Sequence, residues 1–93
     1  MRIDLKIDPT LTHIAGNDFG SEIYKTQIKK FFDGKNSLEI WFPNNIEGVS
    51  ISFVQGLIKE MVNQIGKNNV LTLISLKSDN LYLNDRLRKN MEF

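Results

Sequence analysis

Between Ser50 and Gly66, apolar residues recur at Val54, Leu57, Ile58, Met61, Val62 and Ile65. This i, i+3, i+4, i+7 spacing collects them on one face of a helix. Ser50 stands at the N-cap position, where a side-chain oxygen accepts from an orphan first-turn amide, and Gly66 stands where a left-handed residue ends a helix. The preceding residues 44–49 carry a buried strand through a serine-bearing turn into this helix. Such a strand-to-helix junction is where a small α/β domain is expected to carry function.

A chain of 93 residues supports one core, so residues 1–93 are expected to form a single domain. Its 41% hydrophobic and 25% charged residues are ordinary for a globular protein and favour neither disorder nor a coiled coil. Twelve Lys and Arg against eleven Asp and Glu leave a net charge of +1, so general attraction to nucleic acid or to an anionic membrane is not expected. The absence of cysteine excludes disulfides, thiolate metal sites and a thiol nucleophile within the chain. The first residues alternate charged and aliphatic side chains, unlike a signal peptide, and no run is long enough to span a bilayer. A complete cytoplasmic protein is expected.

Ile3, Leu5 and Ile7 alternate with Arg2, Asp4 and Lys6, the pattern of an edge strand closed by Asp8 and Pro9. Residues 10–15 alternate in the same way and are expected to return as a short antiparallel partner. A helix is expected from Asn17 or Asp18 to about Phe32. It would bury Phe19, Ile23, Tyr24, Ile28, Phe31 and Phe32, leave Lys25, Lys29 and Lys30 in water, and stop at Gly34. Residues 38–42, ended by Pro43, read as an interior strand. The nearly continuous apolar run 70–76 reads as a strand that is central or covered on both faces. A last helix is expected after residues 77–80, its start capped by Asn80 or Asn84, with Leu83, Leu87 and Met91 on its buried face. The order β(β)αβαβα predicts a small, open, mostly parallel α/β sheet with helices mainly on one face.

The segment Ile46-Glu47-Gly48-Val49-Ser50-Ile51-Ser52-Phe53 is a strand and short turn followed by Ser-X-Ser-Phe at a helix start. It resembles the STAS-like domains, small domains related to bacterial anti-sigma factor antagonists. The element order matches from about Ile3 to Met91. In those antagonists the turn carries an Asp-Ser-Ser type sequence whose last serine is phosphorylated by an ATP-binding anti-sigma kinase. By position that serine corresponds to Ser52. The chain departs from the pattern at Ser50, which stands for the leading aspartate, at Ile51, which stands for the middle serine, and at Phe42, which stands for an aspartate near the end of the strand.

Both serines have a plain structural reason to be at a helix start. The resemblance adds Ser52 as phosphoacceptor; Asn44, Asn45, Ser50, Ser52, Gln55 and Trp41 are the expected partner-binding set. A phosphate on Ser52 would suit the helix dipole yet add about −1.5 to −2 charges to a docking surface. If the helices cover one side of the sheet, Trp41 lies on the other, where with Leu71 and Leu73 it could form an apolar patch. Residues 16–20 match neither a dinucleotide fingerprint nor a P-loop. His13 is the single histidine and reads as a surface or turn residue. Asp79 and Asp85 sit near helix caps and form no evident catalytic pair. Arg86, Arg88 and Lys89 read as a solvated helix face. No catalytic residues, metal ligands or cofactor are therefore expected.

The expected function is that of a non-enzymatic regulatory module binding a protein partner, with an ATP-binding kinase-like regulator the candidate partner and homo-oligomers compatible. The rival is an accessory or inhibitor protein of a phage, mobile element or defence system that docks or oligomerises without a phosphoswitch.

Overall fold

A computed structural model describes residues 1–93. The elements are β1 (Arg2–Asp4), β2 (His13–Ile14), α1 (Asn17–Ile23), β3 (Leu38–Trp41), β4 (Gly48–Val49), α2 (Ile51–Ile65), α3 (Lys67–Leu73), β5 (Ile74–Lys77) and α4 (Leu81–Glu92). β3 is the centre of a three-stranded parallel sheet with β1 and β5 at its edges, in a register that aligns Ile3, Ile40 and Leu76. Alternation sends Ile3, Leu5, Leu38, Ile40, Phe42, Ile74 and Leu76 into the core and leaves Arg2, Asp4 and Glu39 in water on the opposite face. The sheet is therefore open on one side. No helix is long and apolar enough to cross a membrane.

α2 is the central helix of the covering layer. Ser50 Oγ accepts from Phe53 N at 3.0 Å, Gly66 closes the helix with φ of +85°, and Phe53, Val54, Leu57, Ile58 and Met61 are buried as the periodicity requires. Phe53 is fully enclosed, edge-on to Phe19 at 5.4 Å and to Phe42 at 6.2 Å. α1 lies against α2 so closely that a Cβ on Gly20 would strike the Phe53 carbonyl, and one on Gly56 would strike the Asn17 carbonyl. Two glycines thus set the helix separation.

The sequence misplaces several features. The run 70–76 is not one strand: Gly66 ends α2 and starts α3, with Val70 N donating to Gly66 O at 3.1 Å, and the chain becomes extended only at Ile74. Nor is that strand central, since β5 is an edge. β2 does not return antiparallel to β1 but pairs in parallel with β4, distant in sequence. The first helix reaches Phe31, yet it changes to a π-helical turn over Tyr24–Ile28 and a 3₁₀ turn over Lys29–Phe31. The wider turn alters the facing of the residues after it, and Phe31 emerges 39% exposed instead of buried. Leu71 and Leu73 belong to α3 rather than to the sheet, so the expected patch with Trp41 does not form. Trp41 is half-buried beneath the Arg2 guanidinium, 4.0 Å from the ring centroid.

Both sheet edges are closed at their C-terminal ends by a side-chain amide acting as a short substitute strand. Gln27 accepts from Lys6 N at 2.7 Å and donates to Lys6 O at 2.8 Å. Asn84 does the same for Ser78, at 2.6 and 2.7 Å.

Candidate functional site

The α2 entry is built from several directions. Pro43 ends the sheet strand, and Ile46, fully buried, anchors the loop that follows. Asn45 donates to Leu11 O at 2.7 Å, while Glu47 N and Gly48 N both donate to Thr12 O. Ser50 N then donates to Ile14 O at 3.0 Å, and from α4 Asn90 donates to Val49 O at 3.0 Å. The turn is thus fixed by the segment before α1 and by the last helix. A Cβ on Gly48 would fall 2.5 Å from the His13 ring, so glycine here lets that ring lie across β4.

At the turn the two serines differ. Ser50 Oγ is engaged as the helix cap, whereas Ser52 is exposed in the first turn of α2, its Oγ 3.0 Å from that of Ser50. From Ser52 an exposed stripe continues through Gln55, Lys59 and Asn63, the helix face turned away from the core. Gln55, Lys59 and Asn63 share a cleft of about 290 Å³ with Asn17 and Lys67.

The other members of the expected set do not all join this surface. Asn44 is exposed in the loop before the turn, but the Asn45 amide is committed to the backbone of Leu11. Trp41 points to the open face of the sheet, away from α2, with its indole N–H donating to Glu39 Oε1 at 3.1 Å. It forms no common surface with Ser52.

Sequence reasoning missed a cleft of about 380 Å³ beside Ser50, where His13, Glu47, Tyr82, Arg86 and Asn90 converge. His13 Nδ1 lies 3.0 Å from Thr12 Oγ1, and the Arg86 guanidinium rests 5.6 Å from the Tyr82 ring centroid. No sequence pattern links these residues, because β2 and α4 meet only through the fold. Their hydrogen-bonding groups, with one positive charge at Arg86 and one negative at Glu47, suit recognition of a polar group. No group of three or more His, Cys, Asp or Glu side chains is placed to hold a metal ion.

Two of the perturbed ionisations, those of Tyr24 and Asp85, lie on the helices. Burial, with the Glu60 carboxylate nearby, raises the Tyr24 hydroxyl above its ordinary range. The Lys89 ammonium holds the Asp85 carboxyl below the usual range, assisted by Arg88. Neither group lines the serine turn. No protein-family model matches this chain, and no curated protein or solved structure matches it.

Proposed function

We propose that the protein is a non-enzymatic, cytoplasmic regulatory module of the STAS-like kind, docking a protein partner through the α2 entry and its exposed stripe. Phosphorylation of Ser52 by an ATP-binding kinase-like partner would reverse that docking. The observation that carries this reading is the division of labour between the serines: Ser50 Oγ accepts from Phe53 N as the cap, while Ser52 is exposed at the head of the stripe, its hydroxyl bonded to Ser50 Oγ at 3.0 Å. A phosphate there would bring charge onto the surface directly beside the capping hydroxyl.

One observation favours a second reading, the switchless accessory protein of a phage, mobile element or defence system. Phe42, which takes the place of the family aspartate, is buried against Phe53 and offers no carboxylate near the turn.

Photo-crosslinking from position 55 in the cells that express the chain separates the readings. A partner captured by wild type and Ser52→Ala but lost with Ser52→Asp, together with phosphate on wild-type Ser52 by mass spectrometry, is the expected result. Equal capture by all three would leave the docking module and remove the switch. Absence of any specific capture from position 55 would remove the docking face as well.

A further inference from the structure

β1 is an edge strand whose backbone groups alternate in direction. Met1 O accepts from Glu39 N at 2.8 Å and Leu5 N donates to Trp41 O at 2.9 Å, so positions 1, 3 and 5 turn their backbone groups towards β3. Those of Arg2, Asp4 and Lys6 therefore point to the free edge. Gln27 occupies the Lys6 pair. The Arg2 and Asp4 groups border a cleft of about 540 Å³ whose far wall includes Thr26, Gln27, Lys30 and the exposed Phe31. Unpaired edge groups of this kind template a further strand.

We propose that β1 pairs antiparallel with β1 of a second copy of the chain, joining the two three-stranded sheets into one continuous sheet. Hydrogen-bonded pairs can form only between outward-pointing residues, which leaves few registers. Arg2 against Arg2, or Asp4 against Asp4, would oppose like charges across the strands, which is unfavourable. The remaining register, about a two-fold axis at Ile3, sets each Arg2 opposite Asp4 of the other copy and uses every free backbone group of both residues. The Gln27 amide at Lys6 blocks any longer slide.

The side chains fit that pairing. Arg2 and Asp4 both lie on the open face, where they form an exposed ion pair at 3.0 Å within one chain, with 53% and 68% of their side chains accessible. Neither is committed to a buried partner, and the Trp41 ring holds the guanidinium over the sheet. A second copy supplies matched opposite charges in register by symmetry. The pairing is independent of Ser52, which lies on α2 beyond the helix-covered face of the sheet.

The test is sedimentation equilibrium of the full chain over a wide concentration range, combined with amide hydrogen exchange. Wild type is expected to show a monomer–dimer equilibrium, with the Arg2 and Asp4 amides slowing as concentration rises. Asp4→Arg places arginine opposite arginine at both symmetric pairs and should weaken the dimer roughly tenfold, as should Arg2→Asp for its carboxylates. The double exchange Arg2→Asp with Asp4→Arg restores opposite charges and should return affinity to within about threefold of wild type. Both positions face solvent, and circular dichroism verifies that each variant is folded. A chain monomeric throughout, a dimer whose Arg2 and Asp4 amides exchange at a concentration-independent rate, or a double exchange no better than the single changes would each overturn the proposal.

Discussion

The middle of α2 and its first turn belong to one helix but tolerate change in opposite ways. In the middle, Gly56 and Leu57 are enclosed: the glycine touches the backbone of α1 and the leucine is fully buried. At the first turn, Ser50 is half-buried and Ser52 exposed, and their roles are carried by hydrogen bonds rather than by volume. The middle therefore fixes where α2 lies. The first turn fixes what α2 presents.

The contrast is sharpest at Leu57. Leu57→Ala removes a fully buried side chain from a core of 21 residues and should cost roughly 2–5 kcal/mol in denaturant unfolding. A loss below about half a kilocalorie, well under that range, would contradict its place in the core.

Gly56→Ala tests the crossing through the sign of its effect. In an open helix interior alanine would stabilise by roughly 0.8–1 kcal/mol over glycine. Here the added methyl meets the Asn17 carbonyl, and α1 must move away. Overpacking of this kind is expected to leave a net loss of about 1–3 kcal/mol by the same unfolding measurement. A gain in stability would show that the helices separate freely.

Ser50→Ala moves to the first turn, where the capping bond to Phe53 N and the exposed bond to Ser52 Oγ are lost. The expected cost is about 0.5–2 kcal/mol, the usual range for a missing cap. A loss as large as that of Leu57→Ala would mean that the turn is as integral to the fold as the core, and would erase the contrast.

These regions also differ in how far they were legible from sequence. α2 was readable because its cap, its apolar period and its terminal Gly66 agree, and Ser50 and Gly66 do flank Ile51–Ile65. For α4 the sequence offered Asn80 or Asn84 as cap, and Asn80 is the one used, through bonds from Tyr82 N and Leu83 N, while Asn84 bonds to Ser78. The run 70–76 misled because a short apolar stretch has no period long enough to distinguish helix from strand. What decided it was the backbone of Gly66, which lets a second helix start at once. The glycine crossing carried a faint signal, since Gly20 and Gly56 each interrupt a helical pattern and such glycines commonly have a packing reason. The parallel pairing of β2 with β4, and the cleft joining His13 to Arg86, depend on contacts remote in sequence and had none.

Ser52 should give the smallest change in stability. Its side chain is exposed, and Phe53 N bonds to Ser50 rather than to Ser52, so Ser52→Ala is expected to remain within about 0.5 kcal/mol of wild type. Ser52→Asp adds a negative charge to the first turn, where the helix dipole favours it by about 0.3–1 kcal/mol, so this variant should unfold no earlier than wild type. Any loss of partner capture by Ser52→Asp then cannot come from unfolding. Thermal unfolding of both variants beside the crosslinking experiment makes that separation directly. A marked destabilisation by Ser52→Asp would instead assign Ser52 to the structural role now given to Ser50, and the exposed stripe would lose its switch.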